Sequence, residues 1–270
     1  MAPESLRRRG GEGSPAVHLA VVGKGGAGKS VLAGTLARLL ARRGRRVLAL
    51  DSDMLPGLTL SLGAGAPALP PLFDAAERDE DGRWRLKRGI GPVRAVQRYA
   101  TDAPDGIRLL QAGKVGADGL PPIMPALQAY YQVVHRLAGT AAFSDWAIVG
   151  DLPGGPRQAA FDWAPYADMF VLVVEPTSQS LLAARRIVRV VSQRAPKHIV
   201  AVANKVRTAD DVDRIQTFLG TTVAAAVPAD DAVAATERDG GALLDAAPRS
   251  PAVEAIAGLA ERLEAGTIGS

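Results

Sequence analysis

Eight residues near the start of the chain combine closely spaced glycines with two lysines and a serine. Residues 23–30 read Gly-Lys-Gly-Gly-Ala-Gly-Lys-Ser. Glycines let the backbone curl so that consecutive N–H groups face a phosphate, and a helix N-terminus behind them adds a favourable dipole. In such a loop Lys29 reaches the β- and γ-phosphates and Ser30 ligates Mg²⁺. The pattern predicts a nucleotide phosphate-binding loop with contacts from Gly23, Gly25, Gly26, Ala27, Gly28, Lys29, Ser30 and Val31.

The chain uses arginine for most of its positive charge. Its 32 basic residues are 26 arginines and 6 lysines, and two of those lysines, Lys24 and Lys29, stand in this one loop. A compact ammonium on a flexible stem suits a crowded phosphate site where a planar guanidinium does not fit. We therefore expect both lysines to act on phosphate.

Acidic residues follow two short apolar runs. Asp51 and Asp53 come directly after residues 47–50, and Asp151 follows residues 146–149, ahead of Leu-Pro-Gly-Gly. Phosphoryl transfer is catalysed mostly by positioning and charge stabilisation, so a carboxylate beside a phosphate loop has a chemical role. The glycines after Asp151 permit the hinge that a switch segment needs. Helix-capping acids and an ordinary Pro-Gly turn are the alternatives.

Short apolar runs alternate with helical patterns along most of the chain. Apolar residues recur at helical spacing from Val31 to Leu40, with Gly44 as a C-cap, and a second helix is predicted over 181–194, stopped by Pro196. This alternation predicts an α/β fold, a doubly wound, mostly parallel sheet flanked by helices, with ligands at the carboxyl ends of its strands. The predicted strands are residues 18–22, 47–50, 146–149, 169–174 and 199–203.

The stretch 55–145 interrupts this rhythm. It holds an acidic segment, then a basic one, then a Pro-rich one. We interpret it as a solvated, divergent insertion into a single domain of residues 16–265, with a partner-docking element as the alternative. Residues 1–15 are Arg, Gly, Glu and Pro without an apolar period, and we expect a disordered lead-in.

Composition excludes several classes of protein. Of 270 residues, 47% are hydrophobic and 22% charged, which indicates a globular chain. The chain has no cysteine, which excludes a disulfide scaffold and any thiolate metal site. The longest apolar run, residues 169–174, is far shorter than the ~18 residues of a membrane span, and no signal peptide is evident. We expect a cytoplasmic protein without membrane insertion.

The lysine-containing loop resembles the deviant Walker A motif of the MinD/ParA class of P-loop ATPases, with Lys24 as its signature lysine. The resemblance implies a P-loop NTPase fold, ATP and Mg²⁺ as ligands, and a homodimer bridged by ATP, in which Lys24 reaches the neighbour's phosphates. It also implies that Asp53 positions or deprotonates the attacking water, while Asp51 and Asp151 help hold Mg²⁺. Lys24, Lys29 and Asp53 are therefore the candidate catalytic residues, and the candidate metal ligands are Ser30, Asp51 and Asp151.

The same resemblance implies where the base is held. Asn204, after the run 199–203, matches the family's base-reading Asn, whose amide both donates and accepts. Val206 and Arg207 come after Lys205, and the family's guanine-reading Asp is not evident there. The resemblance therefore favours ATP over GTP. Pro228 and Asp230 belong to a segment that resembles the loop packing against adenine.

Residues 111–115 and 174–176 look most like the CooC branch of the class. That branch carries a Cys-x-Cys pair, where this chain has Gly-Leu-Pro-Pro-Ile-Met at 119–124, which puts thiolate metal insertion in doubt. His135 is a remaining candidate ligand, although a lone helical His more often packs or faces solvent.

Two surface features bear on partners. The last helix has Val253, Ile256, Leu259 and Leu263 on one face with glutamates beside them, which favours a docked core helix over a basic membrane-binding one. Arginines at 42–46 and 185–189 leave nucleic-acid binding open, although it is not favoured.

The leading hypothesis is an ATPase that acts as an ATP-dependent dimerisation switch and positions or regulates a partner protein or assembly. Its hydrolysis of ATP to ADP and phosphate is expected to be slow and partner-stimulated. The alternatives are a nucleotide-dependent scaffold with little or no hydrolysis, a DNA-partitioning ATPase, and a metallocentre-maturation ATPase.

Overall fold

The computed structural model describes residues 16–55, 57–65, 71–113, 123–155, 163–194 and 198–268. The predicted lead-in at 1–15, residues 114–122 and Pro196 lie outside the described residues. The strands are β1 (His18–Gly23), β2 (Val47–Asp51), β3 (Ala76–Arg78), β4 (Trp84–Leu86), β5 (Thr101–Ala103), β6 (Ile107–Gln111), β7 (Ala147–Asp151), β8 (Met169–Val174), β9 (His198–Val206) and β10 (Val223–Pro228). The helices are α1 (Lys29–Arg42), α2 (Gly57–Ser61), α3 (Pro92–Tyr99), α4 (Ile123–Leu137), α5 (Ser178–Arg194), α6 (Ala209–Leu219), α7 (Asp231–Asp239), α8 (Leu243–Ala246) and α9 (Pro251–Glu264).

Eight of these strands form one sheet in the order β10-β9-β8-β1-β7-β2-β6-β5. Every neighbouring pair is parallel except β5 and β6 at one edge, which are antiparallel. The chain leaves β1 toward β2 and β6, returns to β7, and then continues on the other side through β8. The carboxyl end of β1 is therefore a topological switch point, where open α/β sheets bind their ligands. The predicted fold class is confirmed.

Helices cover both faces of the sheet. Leu19 and Val21 of β1 pack with α1 and α9, whereas Ala20 and Val22 belong to the layer that contains α4 and α5. A parallel strand buried on both faces reads as a continuous apolar run, which is why β1 and β8 were recognisable from the sequence.

The interpretation of 55–145 as a solvated insertion is wrong for two of its elements. Strand β6 pairs with β2 inside the main sheet, and α4 contributes Tyr130, Val133 and Val134 to the core. The small β3–β4 hairpin forms a two-stranded sheet of its own, although its Ala76 and Leu86 still belong to the core. The sequence analysis missed β6 because its five residues include Arg108 and Gln111, which mask the apolar run.

Other elements match their predictions closely. Helix α1 precedes Gly44 at φ 89°, a left-handed conformation that suits glycine after a helix. Strand β7 lies one to two residues later than predicted, so that Asp151 is its last residue. Helix α9 buries the predicted apolar face, including Val253, Ile256 and Leu259. None of the helices within the described ranges is long and apolar enough to cross a bilayer.

Candidate nucleotide-binding site

The glycine-rich loop joins the end of β1 to the start of α1 at the switch point of the sheet. Gly26 and Gly28 have φ of 80° and 89°, a region that residues with a side chain rarely adopt. At Gly28 there is also no room, since a Cβ would lie 2.3 Å from Nδ2 of Asn204. The loop therefore needs glycine at Gly28 for both its backbone conformation and its contact with β9.

Two side chains of the loop face inward. Lys29 is 7% exposed, and its Nζ donates to the carbonyl oxygen of Lys24 at 3.3 Å. The Oγ of Ser30 donates to Oδ2 of Asp151 at 2.5 Å, which joins the phosphate loop to the end of β7. The side chain of Lys24 is half-exposed and makes no hydrogen bond or ion pair with the residues that the structure describes.

Asp51 lies almost fully buried at the end of β2. Its Oδ2 accepts from the backbone N–H and the hydroxyl of Thr59, and its Oδ1 accepts from the backbone N–H of Asp53 at 3.3 Å. Burial raises the pKa of Asp51 to about 8, and the negative charge of Asp151 adds to this shift. The carboxyl group is thus held in place by hydrogen bonds, and no cationic side chain in the described ranges forms an ion pair with it.

Asp151 is likewise buried, at the end of β7. Burial raises its pKa to about 6, although the hydrogen bond from Ser30 and the charge of Lys29 oppose the shift. Its buried Oδ1 has no hydrogen-bond partner among the described residues. An unsatisfied carboxylate oxygen beside a hydroxyl is an all-oxygen donor set, which fits Mg²⁺ held jointly with nucleotide phosphates. No group of three or more His, Cys, Asp or Glu side chains in the described ranges is arranged to hold a metal alone, and His135 is exposed on α4.

The segment after Asp151 rests directly on the phosphate loop. The backbone N–H of Gly155 donates to the carbonyl oxygen of Gly23 at 3.1 Å. A Cβ on Gly154 would lie 2.8 Å from the backbone nitrogen of Gly25, so only glycine permits this approach. Asp53 lies nearby in the turn after β2, where its Oδ1 accepts from the backbone N–H of Leu55.

A cavity of about 240 Å³ lies on the other side of the loop. Asn204 stands at its rim, with Nδ2 donating to the carbonyl oxygen of Ala27 at 2.7 Å. Asp230 lines the cavity, but its carboxylate already caps α7 and accepts from the backbone N–H of Ala252. Those hydrogen bonds lower the pKa of Asp230 against the opposing effect of burial, which is the largest single influence. The sequence-predicted residues that the fold brings together here are Gly28, Val31, Asn204, Pro228 and Asp230.

The sequence analysis missed the role of Lys205 and Glu175. Nζ of Lys205 donates to the carbonyl oxygen of Gly26 at 2.8 Å and pairs with Oε1 of Glu175 at 2.9 Å. Lys205 has φ 57°, a strained value for a residue with a side chain. Together with Asn204, which donates to Ala27, Lys205 thus holds two carbonyls of the loop in place. One signal was available, since Lys205 is another of the few lysines in an arginine-rich chain.

This fold and this loop define a P-loop nucleotide-binding protein of the doubly wound α/β class. The chain belongs to the CobQ/CobB/MinD/ParA nucleotide binding domain family, whose pattern matches residues 19–244. Members of the family are P-loop ATPases, so the resemblance inferred from the lysine-containing loop is confirmed.

Individual relatives agree with this membership. The chain is 29% identical to the carbon monoxide dehydrogenase accessory protein CooC of Rhodospirillum rubrum, over 92% of this chain and 97% of that protein. Its fold is similar to a ParA family ATPase from Chlorobium tepidum TLS, with a TM-score of 0.69, 21% identity, and coverage of 92% of this chain and 99% of that chain. It is also similar to the septum site-determining protein MinD complexed with Mg-ADP from Pyrococcus horikoshii OT3, with a TM-score of 0.67, 19% identity, and coverage of 94% and 98%.

Proposed function

We propose that this protein is an ATP-dependent dimerisation switch that positions or regulates a partner protein or assembly, and that hydrolysis of ATP resets it. The observation that carries the proposal is the 2.5 Å hydrogen bond from Ser30 to Asp151, which couples the phosphate loop to a glycine-hinged segment. A second support is Lys24, whose partly exposed side chain makes no hydrogen bond or ion pair with the described residues and is available to a second subunit.

Most of the predicted residues have a task in this proposal. The loop N–H groups and Lys29 hold the β- and γ-phosphates, while Asn204 and Pro228 border the cavity for the base. Asp53 orients the attacking water. Ser30 and Asp151 would hold Mg²⁺, which would supply positive charge to the phosphate oxygens. Loss of the γ-phosphate changes what Gly154 and Gly155 contact, and this movement alters the surface that a partner meets.

Light scattering on a sizing column tests the switch directly. The protein is run without nucleotide, with Mg·ADP and with Mg·ATP, and phosphate release is followed in parallel. We expect a dimer with Mg·ATP alone and slow phosphate release. The same mass in all three conditions, together with no phosphate release, would favour the alternative of a nucleotide-dependent scaffold.

Lys24→Ala separates binding from dimerisation. Because the Lys24 side chain makes no hydrogen bond or ion pair with a described residue of its own chain, we expect its loss to leave the binding loop intact and the ATP affinity within about 3-fold of the unmodified protein. We expect the ATP-induced dimer and the turnover to be lost. Lys87→Ala, at an exposed lysine away from the loop, is the matched control. Normal dimers in Lys24→Ala would remove Lys24 from the subunit interface.

Asp53→Ala is expected to trap the ATP-bound form. Removal of one carboxylate that orients water lowers the rate of hydrolysis by about 100-fold or more, without removing a phosphate contact. The dimer formed with Mg·ATP should therefore persist for hours on the sizing column. Asp81→Ala, at an exposed aspartate of the β3–β4 turn, should behave like the unmodified protein. Undiminished turnover in Asp53→Ala would exclude Asp53 from the mechanism.

A further inference from the structure

Three buried tyrosine hydroxyls lie behind the acidic residues of the site. The chain has four tyrosines, and Tyr130, Tyr131 and Tyr166 pack in one core layer beneath the ends of β2 and β7. The rings of Tyr130 and Tyr131 meet edge to face at 5.6 Å. Phenylalanine would fill the same space without the cost of burying a hydroxyl. The hydroxyls therefore require an explanation beyond packing.

Tyr130 is hydrogen-bonded to Ser52, the residue between Asp51 and Asp53. Its hydroxyl and Oγ of Ser52 are 2.8 Å apart, and both side chains are buried. The backbone N–H of Ser52 in turn donates to the carbonyl oxygen of Asp151 at 3.1 Å. Tyr130 thus fixes the segment that carries Asp51 and Asp53 relative to the end of β7.

Tyr166 lies against the backbone just before Asp151. Its hydroxyl occupies the place of a side chain on Gly150, since a Cβ there would be 1.7 Å from the hydroxyl oxygen. That hydroxyl is buried and has no hydrogen-bond partner among the residues described, and the same holds for Oδ1 of Asp151. The hydroxyl therefore packs against the backbone of Gly150, the residue before Asp151. Burial raises the pKa of Tyr166, and the charge of Asp151 raises it further, so the hydroxyl keeps its proton.

Tyr131 packs in the same layer without a hydrogen bond to any acidic residue that the structure describes. Its hydroxyl is buried without a described partner, and its ring packs on Trp163 at 4.8 Å. Tyr131 is therefore an internal comparison for the two tyrosines that contact the segments of the site.

We propose that Tyr130 and Tyr166 are positioning residues that hold the segments carrying Asp51, Asp53 and Asp151 in register from behind the site. The proposal rests on the proposed ATPase function. Groups behind metal-binding and water-orienting side chains fix their direction, and their loss costs activity without loss of the direct contacts. Tyr130 supports the segment after β2 through Ser52, and Tyr166 supports the end of β7 at Gly150.

Single Tyr→Phe substitutions remove only the hydroxyls. We expect Tyr130→Phe and Tyr166→Phe to lower kcat by about 10-fold and to raise, by a similar factor, the Mg²⁺ concentration for half-maximal binding of a fluorescent ATP analogue. Tyr131→Phe removes a buried hydroxyl that has no hydrogen bond to a described residue, and it should leave kcat and the Mg²⁺ requirement unchanged. The KM for Mg·ATP should stay within about 2-fold in all three, since no phosphate contact is lost. Tyr99→Phe, on α3, is the matched control.

The outcomes separate this proposal from the proposed function. If Tyr130→Phe and Tyr166→Phe match Tyr131→Phe and Tyr99→Phe in kcat and in Mg²⁺ requirement, the positioning role is overturned while the ATPase stands. If kcat and KM change together with a lower melting temperature, the tyrosines are structural only, which also overturns the proposal. If the unmodified protein does not hydrolyse ATP, the proposed hydrolysis fails and the Mg²⁺ titration alone decides: a shift in Tyr166→Phe supports positioning, and its absence overturns it.

Discussion

Lys29→Ala should lose ATP binding. The Lys29 ammonium is 7% exposed and faces the space enclosed by the glycine-rich loop. Two opposite charges about 4 Å apart in a partly buried protein site interact by about 4 kcal/mol, so a loss of affinity of about 100-fold or more follows. Titration of a fluorescent ATP analogue, with fluorescence anisotropy as the readout, measures the change.

Lys29→Arg distinguishes charge from shape at this position. Arginine keeps the positive charge but is planar and wider, and we expect it to bind ATP nearly as poorly as Lys29→Ala. Lys87→Ala is the control for the loss of one lysine elsewhere, and should bind normally. Unchanged affinity in Lys29→Ala would show that the nucleotide does not bind at residues 23–30.

Arg38→Met should cost about 3 kcal/mol of the free energy of unfolding, since it removes the cation from a buried ion-pair network. The Arg38 side chain is 3% exposed and donates to Asp105 at 2.6 Å and to Asp245 at 2.5 Å. These contacts join α1 to the turn before β6 and to α8. Methionine keeps much of the apolar stem, so the loss reports mainly on charge and hydrogen bonding. Urea unfolding followed by circular dichroism measures it.

Arg42→Met is the matched control for this network. Arg42 contacts the same two aspartates from a side chain that is 41% exposed, and solvent screens those contacts. Exposed ion pairs contribute about 0 to 1 kcal/mol, so this variant should be close to the unmodified protein. If Arg38→Met and Arg42→Met lowered the free energy of unfolding equally, burial would not determine how much each arginine stabilises the fold.

The phosphate loop and the strands around it could be predicted because their signals are local. The spacing of glycine, lysine and serine over eight residues predicts a phosphate-binding loop between a strand and a helix. Strands β1 and β8 were predicted because they are apolar on both faces. By contrast, β6 and α4 were assigned to a surface insertion. A five-residue strand that contains Arg and Gln has no clear period, and only its pairing with β2 makes it a strand.

The sequence by itself determined the α/β class, the MinD/ParA family and the residues 23–30, because each depends on spacings within one turn or one short run. Only the tertiary structure decided which distant residues complete the site. Asn204 and Lys205 contact Ala27 and Gly26 across 177 and 179 residues of chain, and Ser30 contacts Asp151 across 121. The tertiary structure also placed Tyr130 against Ser52. Such contacts arise because parallel strands bring their carboxyl ends to one edge of the sheet, and strand order is set by packing over the whole domain rather than by local spacing.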